Sequence, residues 1–127
     1  VQIGSGARIA GFICDGTVIG DRSTVMGELV HEYTQPHRGW WEVDEPAPVI
    51  EDHVVVGYGA KVVGRALIGP FSYVAAGAIV PKDVPEGYVV TGFNRRSSLS
   101  SWRGTKLRSL VTDWSRGMGH VHTKPRI

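Results

Sequence analysis

An all-β solenoid, made of short parallel strands that stack coil upon coil, is the fold this sequence predicts. Three observations carry the prediction. Aliphatic residues recur every six positions from Ile50 through Val56, Val62, Ile68 and Val74 to Val80. The fifth place of the same hexads holds only small or β-branched residues, namely Val54, Ala60, Ala66, Ser72 and Ala78. Glycine supplies 17 of the 127 residues, about twice the roughly 7% of ordinary chains, which calls for many tight turns. A six-residue period suits neither an amphipathic helix nor one uninterrupted strand, because strands rarely exceed about 10 residues. The chain must therefore turn once per hexad and bury one aliphatic side chain each time.

Taken in order, the first elements are the hexads of Ile3-Gly4, Ile9-Ala10, Ile13, Ile19-Gly20 and Val25, with a two-residue deletion near Gly11 and with Thr17, Ser23 and Leu29 in the fifth place. The period then fails. Residues 30–48 are polar, aromatic and Pro-containing, and read as a loop leaving the coil. Solenoid insertions project from one side and often build the binding surface. The regular hexads from Ile50 follow, giving a body over 1–94. A basic extension over 95–127 places Leu107, Leu110, Val111 and Trp114 at helical spacing, so a short capping helix and a tail are expected there.

Composition narrows the function classes. The single cysteine, Cys14, allows no internal disulfide and no Cys-based zinc site, and reads as a small buried apolar residue. No apolar run approaches the roughly 18 residues of a membrane helix, and no basic start precedes an apolar stretch, so no membrane partner and a cytoplasmic location are expected. Residues 1–94 carry 6 Lys or Arg against 11 Asp or Glu, whereas 95–127 carry 8 against Asp113 alone, a split of −5 and +7. The acidic body argues against nucleic acid as a partner.

On these residues the sequence resembles the hexapeptide-repeat (left-handed β-helix) acyltransferases over about residues 1–92. The small-molecule O-acetyltransferases among them are the nearest in pattern. The matching elements are His31 at the mouth of the loop, Pro48-Val49-Ile50-Glu51-Asp52, Val56-Gly57, Ala75-Ala76-Gly77-Ala78 and Val80-Pro81-Lys82-Asp83-Val84-Pro85. Departures are Val55, where an aromatic is frequent, and Gly92-Phe93-Asn94-Arg95 in place of a Gly-x-Pro-Ala ending. The resemblance implies a left-handed parallel β-helix, acetyl-CoA as acyl donor with no metal, a small-molecule acceptor, and a homotrimer with active sites between subunits. It also implies His31 as general base.

The chemistry agrees with that expectation. Acyl transfer from a thioester requires the attacking hydroxyl or amine to lose a proton, and an imidazole, with its ordinary pKa of about 6.5, accepts one near neutrality. His37 competes for the role and equally suits a substrate contact beside Arg38. Trp40 and Trp41 suit a lid or a stacking surface, or else plugs against the solenoid. Gly59, Ala60, Ala76, Gly77 and Ala78 would admit the pantetheine arm at close range. Lys82, Arg95 and Arg96 would meet the phosphates, or else form a plain basic surface.

Two readings from other classes remain open at this level. A metal-dependent hydratase of the carbonic-anhydrase type on the same solenoid would need three converging His ligands, for which His31, His37 and His53 exist. A solenoid with no catalytic role, used as a scaffold or binding protein, needs no site at all. For the trimer, Val63, Leu67, Tyr73 and Ile79 form the expected apolar flank.

Overall fold

The computed structural model describes residues 1–32, 38 and 45–102. Every coil is a triangle of three very short strands. The first holds β1 (Gln2–Ile3), β2 (Arg8–Ile9) and β3 (Phe12–Ile13), and the second β4 (Val18–Ile19), β5 (Thr24–Val25) and β6 (Glu28–Val30). The third holds β7 (Val49–Ile50), β8 (Val55–Val56) and β9 (Lys61–Val63), and the fourth β10 (Leu67–Ile68), β11 (Tyr73–Val74) and β12 (Ile79–Val80). An abbreviated fifth turn bridges Val84 to Ile68, pairs β13 (Tyr88–Thr91) with β11 and bridges Phe93 to Ile79. The chain then reverses, and β14 (Arg95–Ser98) runs antiparallel to β13. Apart from that last pair the ladders are parallel, so like strands stack into three faces of a prism: β1-β4-β7-β10, β2-β5-β8-β11-β13 and β3-β6-β9-β12.

The hexad rule places the core. Ile50, Val56, Val62, Ile68, Val74 and Val80 are all completely buried, distributed over three aligned ladders that meet along the prism axis. Each such side chain stabilises the fold by about 1.5–3 kcal/mol relative to exposure. The fifth-place residues fill the inner corners, and where they are polar they bond to the turns. Ser23 Oγ donates to the Glu51 carbonyl at 2.6 Å and accepts from the Val54 amide at 3.0 Å.

Leu29 is the exception to the expected register. It is an inward strand residue, aligned with Ile13 and Val62, rather than a corner residue. The two-residue deletion seen near Gly11 is repeated at Gly27, and the shortened corners stack. A Cβ on Gly11 would lie 1.9 Å from the Gly27 carbonyl oxygen, so only glycine fits.

Residues 95–102 are bound to the body by β14 and by the 3₁₀ turn Leu99–Ser101. Leu99 and Trp102 pack on the outer side chains of the second face, Val55, Tyr73 and Val89. Tyr73, expected on an apolar flank, is thereby partly buried within the chain itself. The helix anticipated around 107–114 lies outside the described residues. Among the described residues no helix is long and apolar enough to cross a membrane.

Candidate active site

The three edges of the prism differ, and the chemistry collects along the third, where the chain passes from the third face to the first. From the first coil upward this edge carries Asp15 and Gly16, then His31 and Glu32 at the start of the loop, then Gly64 and Arg65, then Pro81, Lys82 and Asp83. Strand register fixes the order, because Leu29 aligns with Val62 and Val62 with Val80. Successive coils rise by about 4.8 Å.

His31 is half-buried, and its Nε2 lies 2.8 Å from the backbone carbonyl oxygen of Asp15. A carbonyl only accepts, so Nε2 carries the hydrogen and the lone pair of the neutral ring resides on Nδ1. Glu32 lies across Gly64. A side chain there would meet Glu32 Oε1 at 2.9 Å, and the backbone at Gly64 is left-handed with φ +70°.

Above the histidine, the fifth turn is cut short. Val80 and Val84 are four residues apart instead of six, so the edge steps inward. The step leaves an open groove of about 650 Å³ lined by Arg65, Ala66, Pro81, Lys82, Asp83, Asn94 and Arg96. Asp83 Oδ1 accepts the Leu67 amide at 2.8 Å and pins the step to the coil beneath.

Arg96, expected from sequence to contact a cofactor, is spent within the protein. Its Nη2 donates to the Lys82 carbonyl at 3.2 Å and to Asn94 Oδ1 at 2.9 Å, its Nε to Asn94 Oδ1 at 3.2 Å, and its Nη1 to the Asp83 carbonyl. Four of the five guanidinium N–H groups are thus occupied. Lys82 and Arg65 are the exposed cations of the groove, and Arg95 is exposed on β14. Arg65 occupies a variable hexad position, where periodicity gave no signal for it. The role of Arg96 depends on the β13–β14 reversal, which the hexad pattern does not encode.

The small residues expected to admit a pantetheine arm lie elsewhere. Gly59, Ala60, Ala76, Gly77 and Ala78 are on the second edge, so one chain does not bring them to His31. Ala60 and Ala78 are completely buried in the core, and their carbonyls accept from Glu28 and Lys61 amides at 2.7 and 2.8 Å. Their side chains face inward and are unavailable to any ligand. Gly59, Ala76 and Gly77 stay accessible, and both glycines have open space where a Cβ would stand, their left-handed φ of +74° and +75° accounting for them. Arg38 is exposed, whereas His37, Trp40 and Trp41 lie outside the described residues.

His53 lies on the first edge, stacked on Phe71 with ring centroids 4.8 Å apart, and so does not converge with His31. Burial, and after it the positive charge of Arg22, hold its pKa below the ordinary histidine value, against the opposing pull of Asp52 and Asp21. Cys14 is buried, as its hexad place implied.

No family model matches the chain. Its relatives do identify it. Over 102 residues, 76% of this chain and 41% of the relative, it is 33% identical to a serine acetyltransferase of Synechococcus elongatus. Over 65 residues, 51% of this chain and 28% of the relative, it is 38% identical to a 2,3,4,5-tetrahydropyridine-2,6-dicarboxylate N-acetyltransferase of Clostridium perfringens. The crystal structure of a Brucella abortus serine acetyltransferase in complex with coenzyme A matches with a TM-score of 0.66 at 25% identity, covering 76% of this chain and 39% of that one. The fold is thus the left-handed parallel β-helix. Within that class, the chain belongs to the hexapeptide-repeat acyltransferase family, as a homologue of serine acetyltransferases and tetrahydrodipicolinate N-acetyltransferases. It spans about two fifths or less of the length of these curated relatives.

Proposed function

We propose that the protein transfers an acetyl group from acetyl-CoA to a hydroxyl or amine of a small molecule, with His31 as general base. The observation that carries this reading is the placement of a carbonyl-anchored imidazole on the same edge as an open cationic groove. One to two coils separate them, roughly 5–10 Å of rise. Arg65 and Lys82 would take the phosphates of the donor, and the loop beyond His31 would hold the acceptor. The names of the relatives favour an amino-acid hydroxyl such as that of serine.

His31 takes the proton of the acceptor as its oxygen or nitrogen attacks the thioester carbonyl. The new bond to the acetyl carbon forms, the C–S bond breaks, and the proton passes from the imidazolium to the departing thiolate. No covalent enzyme intermediate is needed.

Among the described residues, Leu99 and Trp102 pack on the second outer face, which leaves the first and third as the faces for neighbours. The first and third present Leu67 and Ile79 partly exposed, and Val63 lies half-buried between them. Cyclic association closes such surfaces, so a homotrimer is the expected assembly, with Gly59, Ala76 and Gly77 of a neighbouring copy beside the donor.

The test is a thermal-shift titration with acetyl-CoA followed by turnover against serine, other hydroxy amino acids, sugars and amines. Acetyl-CoA should raise the melting temperature, because it binds only the native state. His31→Ala should lower kcat by roughly 10²–10⁴ and leave the KM for acetyl-CoA nearly unchanged. No stabilisation by acetyl-CoA would favour a scaffold, and full activity of His31→Ala would end the base assignment.

A further inference from the structure

We infer that Thr17 is a positioning residue for His31, its buried hydroxyl holding the turn whose Asp15 carbonyl takes the Nε2 hydrogen, so that Nδ1 is the nitrogen that exchanges protons with the acceptor. The inference rests on the reading of His31 as base and adds to it which nitrogen acts and what aims it.

The turn over 14–17 is the floor beneath the mouth of the loop. Thr17 is completely buried, and its Oγ1 donates to the Cys14 carbonyl at 2.8 Å, with the Thr17 amide adding a longer bond to the same oxygen at 3.4 Å. The Cys14 thiol lies 3.4 Å from Thr17 Oγ1 and donates to it, since the hydroxyl hydrogen is already committed. The Cys14 amide donates to the Leu29 carbonyl at 3.0 Å, two residues before His31. The turn is therefore tied to the strand that delivers the histidine. Gly16 provides the left-handed corner at φ +85°, and a Cβ there would meet Ala47 at 3.4 Å, where the loop returns.

With both ends of the loop seated on this turn, the direction of the Asp15 carbonyl is set by the Thr17 hydroxyl. That carbonyl in turn sets the ring orientation of His31. During transfer Nε2 keeps its hydrogen and its bond to Asp15 throughout, while Nδ1 gains the acceptor proton and then yields it to the thiolate. The carbonyl also stabilises the transient imidazolium, because a charged donor makes a stronger hydrogen bond than a neutral one.

The experiment is proton and nitrogen NMR of the ¹⁵N-histidine-labelled full chain, with His31→Gln to assign the signal, beside steady-state kinetics. An Nε2–H proton of His31 that exchanges slowly with water, with an unprotonated Nδ1, is expected in the parent. Thr17→Val, which keeps the shape and deletes the hydroxyl, should lose that protected proton and lower kcat roughly tenfold, a part of what the base contributes. The KM for acetyl-CoA should not move, and Thr17→Ser should restore both readouts.

Should Thr17→Val fail to fold, Gly16→Ala strains the same turn and should lose the proton, whereas Thr17→Ser keeps it. A bare Nε2, or an Nε2–H exchanging as fast as in denatured protein, overturns the assignment of nitrogens. An unchanged proton and kcat in Thr17→Val overturn the role of Thr17. The NMR readout needs no turnover, so a protein that proves inactive would sink the function and leave this geometry tested on its own.

Discussion

Along the first edge of the prism each turn is satisfied by the turn beside it. The third residue of every corner there is left-handed: Gly6, Arg22, His53, Phe71 and Gly87, with φ between 57° and 71°. Their amides form an unbroken ladder, Arg22 to the Ser5 carbonyl, His53 to Asp21, Phe71 to Asp52 and Gly87 to Pro70, at 2.9–3.2 Å. Asp21 and Asp52 accept further backbone amides, those of Ser5 at 2.9 Å and Asp21 at 2.7 Å. The third edge, made from the same hexads, is broken twice, by the loop after His31 and by the shortened step at Val84. There Lys82 and Arg65 are exposed, and the His31 ring is half-buried against the Asp15 carbonyl. A coil repeated without change pairs its own backbone groups, whereas the interrupted edge leaves an open groove with Arg65 and Lys82.

The largest effect tests what both edges share. Val62→Asp places an unpaired carboxylate in the interior and should destabilise by about 4 kcal/mol or more, leaving little folded protein by circular dichroism. A variant melting within a degree of the parent would invalidate the common core on which the comparison stands.

Next is the third edge alone. Arg96→Ala removes the bonds that tie β14 to the 82–83 step and should cost about 1–3 kcal/mol of stability, since a charged donor is lost and two carbonyls lose partners. The groove should loosen with it, raising the KM for acetyl-CoA about tenfold while kcat holds, equivalent to ~1.4 kcal/mol of donor binding. If Arg96 instead touched the phosphates directly, the KM would rise without loss of melting temperature.

The smallest effect belongs to the first edge and is read as a pH slope. His53 has a lower pKa folded than unfolded, so between the two values the unfolded chain binds more protons. Its contribution is complete above the unfolded value of about 6.5 and is lost as pH falls through the folded one. His53→Asn keeps a residue that tolerates the left-handed corner. Urea titrations between about pH 5 and 8 should show stability falling more steeply with acid in the parent than in the variant, with acetyl-transfer kinetics alike in both. Parallel slopes would mean that His53 does not titrate as its surroundings dictate.

Much of this protein was legible in its order of residues. The period of six, with Ile50, Val56, Val62, Ile68, Val74 and Val80 in step, determines short strands that turn once per hexad, because side-chain burial on one side of a turning chain repeats with the turn. The interruption after Leu29 and the histidine at its mouth were visible for the same reason, as departures from a strict pattern. Stacking decided the rest. Only when coils lie on one another do the shortened corners at Gly11 and Gly27 match, moving Leu29 inward. The same stacking sends Ala60 and Ala78 into the core, gathers Arg65 and Lys82 above His31, and leaves His53 on another edge. The reversal at β14, which spends Arg96 on backbone carbonyls and lays Leu99 and Trp102 over Tyr73, has no periodic signal. A period records which side of its own strand a residue faces. Which residue of another coil it meets depends on register between strands distant in sequence, and that is decided by packing.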